Sequence, residues 1–463
     1  MSESTKQLKQ KLFSKNENGT FKATAEEIAA CLEYNKGYME YLGKAKTERL
    51  AVTESIRLAE ENGFEEFVPG KKYEAGAKIY YNNHKKSAIF AVIGSAPIEE
   101  GMNITAAHID SPRLDLKPNP LYETNEMALL KTHYYGGIKK YQWTSIPLAM
   151  HGVFAKKDGT VIDVSIGDEP GDPCFVINDL LPHLAKEQEK RSLAEGIKAE
   201  ELNVLIGSFP FKDDEESELV KLNVLNILFE KYGVTEADFL SAELEMVPAL
   251  PVRDIGLDRS LIGAYGHDDR VCAYPALTAL FDIGTPARTA VTILADKEEI
   301  GSEGNTGLNS TMLAYFANDL AEIGGTEGYK VLRNSKCLSA DVNAAFDPTF
   351  PDVYEPLNAS YLNHGVVITK YTGHRGKGDS NDASAEYMAE IRNLLDSNNI
   401  CWQTGELGKT DIGGGGTVAK YIADIGVTVV DLGVPVLSMH APYEVVGKYD
   451  VYMTYLACKA FLK

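Results

Sequence analysis

The sequence predicts an α/β protein in which a mixed sheet flanked by helices is interrupted by a smaller, β-rich insertion. Short apolar runs bounded by glycine, proline or charge recur along the chain with helical segments between several of them, the alternation of an α/β sheet. Between residues 112 and 253 the pattern changes to glycine-bounded strand candidates and a charged stretch. The 463-residue length is enough for roughly two to three domains.

Taken in order, residues 24–63 keep apolar side chains at three- and four-residue spacing, broken near Gly43, so two amphipathic helices are expected against the outside of the sheet. Buried strands follow at about residues 88–93 and 104–108. The same kind of run returns at 289–296, 337–341, 366–371 and 427–432. In the changed region, HGVFAKKDGTVIDVSIG supplies strand candidates and AKEQEKRSLAEGIKAEELNVLIGS is charged. An insertion is the economical reading, because the candidate site residues before and after it must meet. The expected division is 1–112 plus 254–463 for the discontinuous main domain and 113–253 for the inserted one.

Bulk composition narrows the function. Apolar residues make up 44% and charged residues 24%, values of a folded globular chain. Acidic residues outnumber basic ones 67 to 46, a formal charge of -21 that repels nucleic acid and anionic membranes. The opening residues lack the apolar core of a signal peptide, and no run approaches a membrane span, so a cytoplasmic protein is expected. The six cysteines are scattered with no CxxC pair, which suits buried reduced thiols better than disulfides or a thiolate zinc site.

Chemistry concentrates in four short stretches, HID (His108, Asp110), HDDR (Asp268, Asp269), DKEEIG (Glu298, Glu299) and SADVN (Asp341), completed by SMHAP (His440). Two adjacent metal ions need a shared carboxylate, further donors for each ion, and a separate carboxylate to work on the attacking water. The chain offers all of these, the inventory of a dinuclear metallohydrolase. His108, Asp341, the Glu298/Glu299 pair and His440 each follow an expected strand, and in open α/β sheets ligands sit beyond the carboxyl ends of strands. Asp110, two residues beyond His108, can orient its imidazole or raise its basicity.

Taken singly, these residues have plain alternatives. A lone histidine at a strand end is more often a hydrogen-bonded structural group than a ligand. Asp268 and Asp269 alone read more readily as a solvated turn than as a site, Glu298 and Glu299 equally as a charged loop, and Asp341 as the partner of a nearby arginine. Asp296 and Lys297 read as solvated or supporting charges. The run Gly413–Thr417 lacks the lysine of a phosphate loop and fits a close backbone approach near substrate, or tight packing. No GxSxG elbow is present to support a serine nucleophile. Oxygen and nitrogen donors without thiolate suit zinc, cobalt or manganese.

As an ensemble, AAHIDSPRLDLKP, the acid pair before an arginine, DKEEIGSEGNTG, SADVNAAFDP and VVDLGVPVLSMHAPYE resemble the aspartyl aminopeptidase and vacuolar aminopeptidase I family over nearly the whole chain. The resemblance implies a metallopeptidase domain interrupted by a dimerisation domain, with dimers assembled to a dodecamer, and two zinc ions per subunit. His108, Asp268 and Asp341 would hold one ion; Asp268, Glu299 and His440 the other, with Asp268 bridging. Glu298 would be the general base and Asp110 would steady His108. His183 matches a histidine of the inserted domain read either as a zinc ligand or as a group reaching the active site of a dimer partner; the second reading is preferred, because five donors already satisfy two metals. Aspartyl aminopeptidases proper carry an Asp-Asn pair where this chain has Asp268-Asp269. The chain also departs from them around KYTGHRGKGDSNDASAEY, where Lys370 or Arg375 could meet an acidic substrate side chain. Members preferring neutral residues leave the preferred N-terminal residue open.

The activity so implied is removal of the N-terminal residue from peptides. A dinuclear amide deacylase or carboxypeptidase would use the same donors. A non-catalytic oligomeric shell would have no need of Glu298 beside the ligands.

Overall fold

The computed structural model describes residues 4–14, 16–212 and 216–463; Met1–Glu3 of the polar opening segment lie outside it. Three sheets organise the chain. The largest has nine strands in the order Glu65–Glu66, Lys78–Asn83, Ser87–Val92, Thr289–Ala295, Met102–His108, Lys336–Ser339, Thr428–Gly433, Val366–Thr369 and Trp402–Thr404. Its middle is parallel: Met102–His108 pairs in parallel with Thr289–Ala295 on one side and Lys336–Ser339 on the other. These three strands therefore end at one edge. Ser87–Val92 and Val366–Thr369 join antiparallel, so the sheet is mixed as expected.

Every residue of Ser87–Val92 and Thr289–Ala295 is buried, which is why both read as continuous apolar runs rather than alternating ones. Phe90 is fully enclosed, and truncating such a side chain to alanine costs on the order of 3–5 kcal/mol. Separate apolar cores cover the two faces of the sheet, one with Tyr38, Phe90 and Leu280, the other with Ile104, Phe316 and Val331.

Both expected N-terminal helices form, at Ala25–Lys44 and Glu48–Glu61. The break falls after Gly43, at 45–47, because Thr47 accepts the amide of Leu50 and caps the second helix, whereas Gly43 remains helical. The first helix rests on helices His267–Phe281 and Lys448–Leu462, and the second covers the strand Ser87–Val92. The first helix also contributes Tyr38, Tyr41 and Leu42 to the core that covers Phe90 of the sheet.

Among the described residues, all strands between 113 and 248 lie in a separate seven-stranded sheet, ordered Val161–Ile166, Leu148–Ala155, Ala242–Pro248, Arg113–Thr124, Met127–Tyr135, Asn203–Gly207 and Val176–Ile177, with every pairing antiparallel. Asn125 and Glu126 join two of these strands with positive φ at both positions, the backbone of a tight hairpin turn. The sheet has its own core around Trp143, Phe154 and Met246. It also carries the helix Leu219–Tyr232, which the β-rich reading did not anticipate. Ionic contacts tie it to the rest: Lys46 Nζ lies 2.5 Å from Asp168 Oδ1, and Arg113 stands 3.4 Å from both Glu48 and Glu245.

The third sheet has five strands, including Leu261–Ala264, Glu444–Gly447 and Pro435–Leu437. The strand before His440 thus belongs to this small sheet, not to the shared edge of the large one. Among the cysteines, Cys31, Cys272, Cys337 and Cys458 are buried, while Cys401 is half-buried and Cys174 exposed, a departure from the uniformly buried set expected.

Candidate metal centre

Three parallel strands deliver donors to one edge. His108 ends the strand Met102–His108, Asp341 lies two residues beyond Lys336–Ser339, and Glu298 with Glu299 forms a short turn after Thr289–Ala295. Asp268 and Asp269 start the helix His267–Phe281, with non-helical backbone angles at both. His440, at φ 65°, arrives from the small sheet.

Asp268 stands between the two histidines. Its Oδ1 lies 3.1 Å from His108 Nε2 and its Oδ2 lies 3.2 Å from His440 Nε2. His108 Nε2 is also 3.8 Å from Glu298 and 4.0 Å from Asp341, and His440 Nε2 is 3.5 Å from Glu299. All five expected donors and Glu298 therefore gather in one place.

The electrostatics are those of a cation site. Burial favours neutral imidazoles, yet Asp110 and Asp268 hold His108 well above the usual histidine range. Burial is likewise outweighed at His440, which its contact with Asp268 and the charge of Glu299 push up to about 10. Burial lifts Glu299, Asp341 and Asp269 well above the carboxylate range, and lifts Glu298 to about 7. Glu299 Oε1 and Asp269 Oδ1 are buried without a hydrogen-bond partner, which is costly for a carboxylate unless a cation satisfies it. Candidate ligand atoms of His108, Asp268 and Glu299 lie within 4.8 Å of one another, as do those of His108, Asp269 and Asp341. The residues present fit zinc, which accepts imidazole and carboxylate alike.

Two carboxylates outside the donor set fix its backbone. Asp110 Oδ1 accepts the amide of Glu298 at 3.1 Å, and its Oδ2 accepts the amide of Glu299 at 3.2 Å and the hydroxyl of Tyr135 at 2.8 Å. Its backbone oxygen lies 3.0 Å from His108 Nδ1. Glu444 does the corresponding work elsewhere, accepting the amide of His440 at 2.7 Å on Oε1 and that of Asp268 at 3.1 Å on Oε2. Glu444 lies outside the donor stretches visible in the sequence, and Asp269 has a contact of its own beside Asp268. The structure buries Asp269 completely, with its Oδ2 accepting the amide of His108 at 3.3 Å.

The centre opens into a cavity of about 650 Å³ lined in part by Thr369, Tyr371, Arg375, Lys409 and the glycines at 413–416. Gly413 and Gly414 leave no room for a side chain, because a Cβ would strike the carbonyls of Leu407 and Gly373 respectively. Arg375 lines this cavity, but Lys370 does not; its ammonium pairs with Asp382 at 2.6 Å. His183 sits exposed in the turn Pro182–Leu184 and is not among the cavity residues of its own chain. Asp296, read as a solvated or supporting charge, is buried and accepts the hydroxyl of Thr306 at 2.6 Å, so it supports the loop after Glu299. Among the described residues, no helix is long and apolar enough to cross a membrane.

The model of the aminopeptidase I zinc metalloprotease (M18) family matches residues 41–462. A probable M18 family aminopeptidase 1 from Clostridium acetobutylicum is 47% identical, over 97% of this chain and 99% of the relative. Among solved structures, the M18 family aminopeptidase from Thermotoga maritima superposes with a TM-score of 0.93 at 45% identity, covering 97% of this chain and all of the other (100%). The aminopeptidase I of Clostridium acetobutylicum gives 0.92 at 45% identity, covering 98% and 100%. Agreement of sequence and fold over almost the full length places the chain in the aminopeptidase I zinc metalloprotease (M18) family, as a zinc-dependent aminopeptidase.

Proposed function

We propose that the centre is dinuclear, with His108, Asp268 and Asp341 holding one zinc ion and Asp268, Glu299 and His440 the other. The observation that carries this reading is the position of Asp268, whose two oxygens face different imidazoles at 3.1 and 3.2 Å. When bound, zinc supplies Lewis acidity toward the scissile carbonyl and the attacking water. Cobalt or manganese would suit the same donors.

Glu298 is the general base in this reading. Burial lifts its carboxyl to about 7 in the metal-free chain, and its Oε2 lies 3.8 Å from His108 Nε2, at the edge of the donor set. It takes the proton of the attacking water and passes it to the leaving amine. Asp110 holds the amides of Glu298 and Glu299, which sets the direction of both side chains. Arg375, one of several basic residues lining the cavity, would meet an acidic substrate side chain; Lys370 is already occupied by Asp382.

Residues 113–253 form an inserted dimerisation domain within a metallopeptidase domain of 1–112 plus 254–463. Exposed Leu180, Leu181 and Leu184 support a protein-covered surface there. His183 lies among them, and its exposure supports a role at the active site of a second subunit in a homo-oligomer, dimers building a dodecamer. Six free cysteines favour the cytoplasm.

The deciding experiment is hydrolysis of a panel of aminoacyl amides and peptides by metal-loaded protein, with N-acetylated peptides alongside. Chelator-sensitive cleavage that needs a free amine supports the proposal. Equal cleavage of acetylated substrates would point to a deacylase instead.

A further inference from the structure

The inserted sheet touches the metal centre directly. Three consecutive residues at the end of its strand Met127–Tyr135 meet both halves of the donor set. The Tyr135 hydroxyl donates to Asp110 Oδ2 at 2.8 Å. Gly136, at φ 72°, passes so close that a Cβ there would lie 3.3 Å from Glu299 Cβ. The Gly137 carbonyl stands 2.9 Å from His440 Nδ1, the nitrogen that does not face Asp268. A histidine whose outer N–H is held by a carbonyl has its tautomer and ring orientation fixed.

Tyr135 is itself held firmly. The guanidinium of Arg113 lies 3.9 Å from the centre of its ring, and Arg113 is its register partner in the sheet. Arg113 donates to Asp115 at 2.8 Å and stands 3.4 Å from Glu48 and from Glu245. The phenol is thus fixed from behind by charges of the inserted sheet and of the helix Glu48–Glu61, and its hydroxyl is aimed at Asp110.

We infer that Tyr135 is a positioning residue, and that the inserted sheet is a working part of the metal centre. Asp110 must keep one rotamer to accept the amides of Glu298 and Glu299 on different oxygens. The Tyr135 hydroxyl locks that rotamer and so sets the aim of both glutamates. The inference rests on the roles proposed above for Glu298 and Glu299.

The test compares wild type, Tyr135→Phe, Asp110→Asn and the double variant. Tyr135→Phe keeps the ring stacked on Arg113, and thermal unfolding verifies the fold. Zinc affinity is read on metal-free protein by competition with a chromophoric chelator, and kcat and KM on an aminoacyl amide at saturating zinc. Tyr135→Phe is expected to weaken zinc affinity or lower kcat by roughly tenfold or more, with KM changed less than about twofold. In the Asp110→Asn background the same substitution should add nothing, since non-additivity is the mark of action through a shared partner. Wild-type behaviour of Tyr135→Phe, a loss confined to KM, or an equal loss in both backgrounds would overturn the inference. A wild type without zinc-dependent turnover would instead remove the proposed function, and the affinity comparison would still decide the role of Tyr135.

Discussion

Asp110 and Glu444 perform one task on different segments: each carboxylate accepts two backbone amides, those of Glu298 and Glu299 for Asp110 and those of His440 and Asp268 for Glu444. Four residues of the centre are thus aimed through their main chains. With the main chain held, only side-chain torsions are left to set where each group points.

Glu444→Gln should therefore weaken zinc binding even though Glu444 lies outside the proposed ligand set. Its amide nitrogen would face a backbone donor in place of an acceptor. A loss of roughly ten- to hundredfold in affinity is expected, read by chelator competition. Unchanged affinity would show that the clamp is dispensable.

Glu298→Gln should keep its zinc and lose turnover. Removing a general base costs roughly 10²–10⁴-fold in rate. Metal content by elemental analysis, together with kcat, separates this from loss of a ligand. Near-normal kcat in that variant would mean another group takes the proton.

Zinc binding should release protons. In the metal-free chain the surrounding carboxylates raise His440 to about 10 and His108 well above its usual range, so protons occupy imidazoles that zinc would take. Zinc takes the deprotonated forms. Raising the pH removes the competing protons, so apparent affinity should climb with pH, by roughly tenfold per unit for each proton displaced. Titration calorimetry in buffers of different ionisation enthalpy counts those protons directly; a pH-independent affinity would contradict these charge states.

Arg375→Ala should raise KM for substrates with an N-terminal Asp or Glu and leave Leu or Ala substrates little changed, whereas Lys370→Ala should affect neither class. A panel of aminoacyl amides reads both. Equal effects on acidic and neutral substrates would place Arg375 outside the specificity pocket.

Much of this was legible in the sequence because each of the three central parallel strands is a buried apolar run that stops at a polar residue. His108, Asp341 and the Glu298/Glu299 pair mark where those runs end. What stayed hidden has physical reasons. Glu444 and Tyr135 act by hydrogen bonds to segments distant in sequence, which leave no spacing signal. Asp269 looked solvated because the amide it accepts, that of His108, belongs to a distant strand. Lys370 was attractive by charge alone, yet it alternates with Thr369 and Tyr371, which line the cavity, and so faces away. The helix break appeared at Gly43, whereas the cap that decides it is Thr47.

The order of these residues along the chain also sets a clock. Asp268 leaves the ribosome long before His440 and Glu444 follow, so a growing chain can offer Asp268 only one of its two imidazoles, and only one of the two carboxylate clamps. Contacts of such long sequence separation form late. Each copy is thereby inert while it is itself being made, and becomes competent only once its last clamp has been synthesised and folded into place.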